Sequence, residues 1–318
     1  MATLTEKTAG TVPPHFQLVD PDAMSKIGRM DLLARQRVEG FITGRHQSPF
    51  RGHSVEFAQH REYTPGDDLR NLDWRVFGRL DRYCIKQYVE ETNLRATLLL
   101  DASGSMAYRG ELAVTRGGRP LSKFEYARYM AACLTRMLMS QQDAVGLVTF
   151  DTAVRRYLPA RTRANHMSVL LEEMYNTAPG EETSLAPVFH EIAERIHRRG
   201  LVIILSDLFD SAGEMLKALH HFRFRKHEVI VMHVMAEEEL TFPFKHWSQF
   251  QNLEQNSQFL DIDPEVLRSA YLDEVREFVG TLEKGCGEMR VDYVPFSTRQ
   301  DFGMALAGYL SHRRSLVK

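Results

Sequence analysis

The chain is poor in cysteine and has no long apolar run, and both absences narrow its class. Among its 318 residues, Cys84, Cys133 and Cys286 lie far apart and form no CxxC pair. This spacing excludes a disulfide framework and a zinc ribbon, and it fits a reducing compartment. No stretch approaches the roughly 18 uninterrupted apolar residues of a membrane-spanning helix, and the first residues lack the apolar run of a signal peptide. We therefore expect a cytoplasmic protein without a membrane span.

An excess of one charge sign is also missing. The 40 Lys and Arg residues against 42 Asp and Glu give a net charge of -2, so the chain lacks the positive field that nucleic-acid binders use. The sequence contains no GxxxxGK[ST] phosphate loop, no GxSxG elbow and no HExxH pair. Nucleotide hydrolysis, serine-hydrolase chemistry and zinc-protease chemistry are therefore not indicated. Four histidines are expected on helix or strand surfaces, namely His220, His221, His227 and His233.

The composition is that of an ordinary globular protein, with 43% hydrophobic and 26% charged residues. Residues 1–22 are rich in Thr, Pro and Ala without periodicity, which predicts a flexible lead-in. An amphipathic helix is predicted from Asp31 to Gly44. We expect an N-terminal segment over residues 23–92, packed on a main domain over residues 93–318.

Strands and helices alternate after Asn93. The apolar segments LRATLLLD, AVGLVTF, VRRYL, LVIILSD, EVIVMHVM and VDYVPF read as strands, and helical patterns separate most of them. Strands that are apolar on both faces belong to a parallel sheet covered by helices on two sides. The prediction is a doubly wound, mostly parallel, Rossmann-like α/β fold. A polar and aromatic segment over residues 237–263 has no clear period and is predicted to be an insertion.

Oxygen-bearing side chains follow two of these strands. Asp101, Ser103 and Ser105 stand in LLLDASGSM, and Asp207 ends LVIILSD. In the strand order 3-2-1-4-5-6 the first and fourth strands are neighbours, and a crevice opens at their carboxyl ends. Thr183 in PGEETSL adds a hydroxyl nearby. Ligands of this kind suit Mg²⁺ or Mn²⁺.

Two other readings of these residues stay open. Asp and Ser after a strand can simply cap backbone N–H groups of a turn. A metal-dependent hydrolase or phosphoryl-transfer enzyme could use Asp101 as its nucleophile. Such phosphotransferases commonly place a second acid two residues later for proton transfer, and this chain has Ser103 there. We therefore expect no enzyme. Asp210 is a weaker metal candidate because it lies past the strand end.

The DxSxS turn, the threonine and the second aspartate together resemble the metal-ion-dependent adhesion site of von Willebrand factor A-like domains. The resemblance implies that Ser103, Ser105 and Thr183 bind the cation directly, and that Asp101 and Asp207 do so directly or through water. It also implies that a Glu or Asp of a partner completes the coordination sphere. The function implied is binding, not catalysis.

The string HREYTPGDDLRNLDW is similar to the signature of the bacterial family called domain of unknown function 58. Its pattern R-x-Y-x-x-G-D-x-x-R-x-x-D-W is matched here by Arg61, Tyr63, Gly66, Asp67, Arg70, Asp73 and Trp74. The resemblance covers roughly residues 40–310. It implies an adaptor that works with a MoxR-type AAA+ ATPase in the assembly or maturation of other proteins. The string itself suits an ion-pair network within a folded subdomain, with a docking surface as the second hypothesis.

Overall fold

The computed structural model describes residues 13–28, 55–64, 72–90, 94–180, 185–245, 248–251, 259–262 and 264–315. The chain divides into two compact units, one of residues 38–93 and one that joins residues 1–37 to residues 94–318. Within these described ranges, no helix is both long enough and apolar enough to cross a membrane.

A six-stranded sheet forms the centre of the larger unit. Its strands are β3 (Arg95–Asp101), β6 (Ala144–Phe150), β7 (Val154–Arg161), β8 (Leu201–Ser206), β9 (Glu228–Met235) and β12 (Asp292–Ser297). The spatial order is β12-β9-β8-β3-β6-β7, and only β7, at one edge, runs antiparallel to its neighbour. Counted along the chain within this sheet, the order is the predicted 3-2-1-4-5-6. The prediction of a mixed α/β fold with a mostly parallel central sheet is confirmed.

Helices cover both faces of this sheet because its central strands are apolar on both faces. The larger helices are α3 (Lys123–Ser140), α4 (Ala164–Asn176), α5 (Leu185–Arg195), α6 (Ala212–Phe224), α8 (Pro264–Glu288) and α9 (Phe302–Ser315). On one face, Phe189 of α5 packs edge-to-face between Phe150 of β6 and Phe222 of α6. On the other face, α3 packs against β3 and β6.

Residues 13–22 differ from the predicted flexible lead-in. They form a 3₁₀ turn (Pro14–Leu18) and the start of helix α1 (Pro21–Gly28). Leu18 is buried, as are Ala23 and Ile27 of α1, and the His15 Nε2 lies 3.0 Å from the Ser168 hydroxyl. These few apolar side chains fix the segment to α3, α4 and α9, although the sequence around them shows no period.

Two irregular stretches contain short elements that periodicity does not predict. The hairpin of β4 (Thr115–Arg116) and β5 (Arg119–Pro120) turns at two glycines with positive φ, Gly117 and Gly118. The predicted insertion holds helix α7 (Glu237–Thr241) and an antiparallel pair, β10 (Ser248–Gln251) and β11 (Phe259–Ile262). These elements are two to five residues long, which is too short for a helical or strand period to be recognised in the sequence.

The smaller unit contains an antiparallel pair and one short helix. Strand β1 (Val55–Glu62) pairs with β2 (Cys84–Glu90), and helix α2 (Trp74–Leu80) lies between them in sequence. The Asp73 carboxylate accepts hydrogen bonds from the backbone N–H groups of Arg75 and Val76, so this signature residue caps α2. Trp74 is exposed. The helix predicted from Asp31 to Gly44 lies outside the described residues, and so do the signature residues Gly66, Asp67 and Arg70.

Candidate functional site

The candidate site lies at the carboxyl ends of the two neighbouring strands β3 and β8. These strands are parallel, with Leu100 opposite Leu205, so Asp101 and Asp207 leave the sheet at the same edge. The turn after β3 is anchored by backbone bonds: the Ala102 N–H donates to the Phe150 carbonyl at 2.8 Å. The lengths and the order of the strands are therefore enough to bring both carboxylates to the same end of the sheet.

Hydrogen bonds join four of the five predicted ligands into one cluster. The Ser103 N–H donates to Asp101 Oδ1 at 2.9 Å, and the hydroxyls of Ser103 and Ser105 lie 3.1 Å apart. The Ser105 hydroxyl bonds to the Asp207 carboxylate. The Ser206 hydroxyl donates to Asp101 Oδ2 at 2.5 Å. Thr183 lies outside the described residues, so its place in the cluster stays a prediction.

Lys123, which the sequence analysis missed, supplies a buried cation at this cluster. Its Nζ donates to Asp207 Oδ2 at 2.7 Å and to Glu239 Oε1 of α7 at 2.6 Å, and its side chain is 3% exposed. Burial alone would lower the pKa of Lys123, but the two carboxylates outweigh it and raise that pKa above its usual range. Lys123 is therefore charged and fixed.

The sequence does carry a signal for Lys123. It is the first residue of α3, directly after the N-cap Ser122, whose hydroxyl accepts from the Glu125 N–H in a capping box. A cation in the first helical turn opposes the helix dipole and is disfavoured there. A lysine at that position therefore points to another partner that holds it. Ser206 and Glu239 carry no comparable signal.

Asp101 is a buried carboxylate without a cation of its own. It is 0% exposed, and in the described part of the chain no Lys, Arg or His forms an ion pair with it. Burial, with the charge of Asp207 as the second cause, raises the pKa of Asp101 to about 7, although bonds from Ser206 and Ser103 oppose the rise. Burial would also raise the pKa of Asp207, but Lys123 outweighs burial and lowers it. The cluster therefore needs either a proton or a further cation at Asp101.

In the presence of a metal chelator, we expect the difference in stability between the wild type and Asp101→Asn to depend on pH. Because the folded pKa of Asp101 lies above its unfolded value of 3.8, this group stabilises the fold at low pH, and the contribution is lost as pH rises through about 7. Asn cannot ionise, so the stability of Asp101→Asn does not change with pH through this residue. We expect the unfolding free energy of the wild type to fall relative to Asp101→Asn between about pH 5 and pH 8 in urea titrations.

The same comparison cancels the other titrating groups, including the buried histidines. A wild-type minus Asp101→Asn difference that stays constant over this pH range would show that Asp101 does not gain a proton on folding.

The donor set fits a hard divalent cation. Two carboxylates and two hydroxyls offer oxygen only, and carboxylate oxygens already bonded to N–H or O–H groups retain free lone pairs. Across the described ranges there is no group of three or more His, Cys, Asp or Glu residues that could hold a metal ion. A site here therefore depends on its serine oxygens as well as on Asp101 and Asp207.

Asp210, the weaker candidate, has a different role. Its Oδ2 accepts from the backbone N–H groups of Leu185 and Ala186 at 3.1 and 3.4 Å, so it caps the start of α5. These bonds tie Leu185 and Ala186, at the start of α5, to the turn after β8. Asp210 therefore acts as a helix cap, and within the described residues no hydrogen bond joins its carboxylate to the clustered oxygens.

His233 holds the backbone of the site in place. Its Nε2 donates to the Asp207 carbonyl at 2.8 Å, and its Nδ1 lies 2.5 Å from the Tyr293 hydroxyl. Burial lowers the pKa of His233 to about 4, so the ring is neutral and Nδ1 accepts from Tyr293. The prediction of a surface position is wrong for His233 and for His227, which are each 1% exposed. Both faces of β9 are covered, and so is His227, the residue that precedes it.

Comparison with known proteins places the chain among uncharacterised relatives. The uncharacterized proteins Rv1480 of Mycobacterium tuberculosis and Mb1516 of Mycobacterium bovis are each 25% identical over 285 residues, which cover 86% of this chain and 81% of the relative. Among solved structures, the conserved hypothetical protein BatB from Bacteroides thetaiotaomicron is 13% identical, with a TM-score of 0.45 over 70% of this chain and 100% of that chain. Likeness at this level defines neither fold type nor function.

A family model gives the clearer result. The model described as "Protein of unknown function DUF58" matches residues 59–278, well over half of the chain. The match spans the capped helix α2, the DxSxS turn, Lys123, Asp207 and α7. The chain therefore belongs to the DUF58 family.

Proposed function

We propose that this protein is a non-catalytic, metal-dependent protein-binding adaptor whose larger unit is a von Willebrand A-type domain. The observation that carries the proposal is Asp101, a fully buried carboxylate that lacks a cationic partner in the described ranges and lies beside a second carboxylate. A resident cation would remove the need for a proton there. The strand order and the two converging strand ends support the same reading.

The chain's own residues orient the donor atoms. When bound, Mg²⁺ or Mn²⁺ would be held by oxygens of Asp101, Ser103, Ser105, Asp207 and, as the resemblance implies, Thr183, and would offer an open position to a partner's carboxylate. The bonds from Ser206 and from the Ser103 N–H fix the Asp101 carboxylate. All four described ligands are buried, with Asp101 and Ser103 0%, Asp207 5% and Ser105 8% exposed. Because Ser105 and Asp207 are the least deeply buried, a partner would approach from their side.

Burial argues against the enzyme alternative. Asp101 is inaccessible, and each of its oxygens already accepts a hydrogen bond, from Ser103 N–H and from the Ser206 hydroxyl. A nucleophile must reach the substrate, and Asp101 has no exposed surface from which to do so. Ser103 also stands where a phosphotransferase commonly has its second acid. Binding is therefore the better reading of this cluster.

An exposed aromatic side chain beside the cluster supports a protein partner. Phe209 is 65% exposed, and its N–H donates to Asp207 Oδ1 at 3.2 Å. Exposed aromatics at a site are typical anchors of protein interfaces. We propose a partner that presents an acidic side chain, a MoxR-type AAA+ ATPase, with a role in the assembly or maturation of other proteins. The three free cysteines support action in the cytoplasm.

Affinity purification tests this function. We expect a AAA+ ATPase to co-purify with the wild type in Mg²⁺ and to be lost in EDTA. Ser103→Ala should abolish capture because it removes one donor, and Phe209→Ala should weaken capture at least about tenfold.

Ser211→Ala is the matched control because Ser211 is exposed and its side chain caps no N–H group. Capture that persists in EDTA and in Ser103→Ala would rule out metal-dependent binding.

A further inference from the structure

Lys123 lies between two carboxylates of unequal burial. Its Nζ donates to Asp207 Oδ2 at 2.7 Å and to Glu239 Oε1 at 2.6 Å. The Asp207 side chain is 3% exposed, whereas that of Glu239 is 27% exposed. The Tyr108 ring also lies beside the ammonium group, with its centroid 6.0 Å from Nζ. Because Lys123 is enclosed, these two carboxylates and not water neutralise its charge.

The short helix α7 holds Glu239 in place. It contains three successive glutamates, and the first two anchor the helix to other elements. Glu237 Oε2 accepts a hydrogen bond from the Ser297 hydroxyl at 2.7 Å, at the end of β12. Glu238 Oε1 accepts from the Leu112 N–H at 2.8 Å, in the loop that follows the DxSxS turn. Glu239 is the member of this run that faces the ammonium group.

Lys123 limits how strongly Asp207 can bind a further cation. Its ammonium group occupies Oδ2 of Asp207 and repels a second cation on the same carboxylate. Glu239 neutralises part of the same ammonium charge and so weakens that repulsion. Solvent screens these effects little, because Lys123 and Asp207 are each 3% exposed. The charge of Glu239 therefore acts on Asp207 through Lys123.

We propose that Glu239 is a positioning residue of the metal site, which sets the affinity for Mg²⁺ or Mn²⁺ by sharing Lys123 with Asp207. The inference rests on the proposed metal-dependent function and adds a point of control to it. That point lies in α7, the first element of segment 237–263. A partner that displaces α7 would return the whole lysine charge to Asp207 and weaken metal binding.

Calorimetric titration of the full chain with MgCl₂ and MnCl₂ tests this inference. Glu239→Gln removes the charge but keeps an oxygen that can accept from the Ala236 N–H, which Glu239 Oε2 binds at 2.7 Å. We expect it to raise the dissociation constant at least about tenfold, and Lys123→Met to lower it at least about tenfold. Glu237→Gln is the matched control because it makes the same charge change in the same helix. It should stay within about twofold of the wild type.

The double variant Lys123→Met with Glu239→Gln shows whether Glu239 acts through the lysine. In the Lys123→Met background, Glu239→Gln should change the dissociation constant by less than about threefold. An undiminished loss in that background, or equal effects of Glu239→Gln and Glu237→Gln, would overturn the inference. If Lys123→Met does not fold, the comparison of the two glutamate variants decides by itself. A wild type that binds neither ion would overturn the metal site and this inference together, whereas equal binding by the wild type and Glu239→Gln would overturn this inference alone.

Discussion

Lys123→Met should lower the free energy of unfolding by about 3–5 kcal/mol in EDTA, because it leaves the buried Asp207 carboxylate without its cation. Both side chains of this ion pair are 3% exposed, so solvent cannot replace the missing charge. Glu239 loses the same partner but is 27% exposed and loses less. Urea titration measures the change, and added Mg²⁺ should restore part of the loss in the variant.

Lys217→Met provides the control for this prediction. Lys217 pairs with Glu214 on the surface of α6, with exposures of 71% and 53%. Surface pairs of this kind contribute little, so the control should stay within about 0.5 kcal/mol of the wild type. If Lys123→Met is as stable as this control, the buried ion pair does not hold the site together.

Asp207→Ala should lower the free energy of unfolding by about 3 kcal/mol and should also abolish the stabilisation by Mg²⁺. The substitution leaves Lys123 with Glu239 as its single described ion-pair partner, and it removes the acceptor of Ser105 and of the Phe209 N–H. Loss of function in Asp207→Ala therefore reports instability as well as loss of a ligand. Ser103→Ala is the cleaner probe of metal binding.

The double variant Lys123→Met with Asp207→Ala tests the coupling between the two residues. It should be more stable than the sum of the single losses predicts, because it leaves no unpaired carboxylate at position 207. Additive losses would show that the two side chains act independently. Urea titration of all four proteins in EDTA completes the cycle.

The central sheet and the convergence of Asp101 with Asp207 follow from the sequence for one physical reason. Strands that are apolar on both faces are typical of parallel sheets covered by helices, and the usual winding order makes the first and fourth strands neighbours. That the acidic residues at the ends of these strands meet can therefore be predicted without knowing any tertiary contact. Ser103 and Ser105 are brought in by the same turn.

The acidic partners of Lys123 could not be predicted in the same way, although its place in the first helical turn signals that it has one. Lys123 and Glu239 are 116 positions apart, and only the folded chain brings them together. The burial of His233 and His227 could not be predicted for a related reason. Histidine is a polar residue, and the burial of these two depends on helices from elsewhere in the sequence that pack over β9. Local pattern determines which elements form, whereas long-range pairing determines which polar groups those elements enclose.

Titration with Mg²⁺, followed by the thermal unfolding midpoint, tests the central claim most directly. Saturation at about 100 times the dissociation constant should stabilise the wild type by about 2.7 kcal/mol and raise its midpoint by several degrees. Ser211→Ala, at an exposed residue whose side chain caps no N–H group, should keep this rise, and Ser103→Ala should lose it. A wild type that does not respond to Mg²⁺ or Mn²⁺, or a Ser103→Ala variant that responds equally, would contradict a metal site at Asp101.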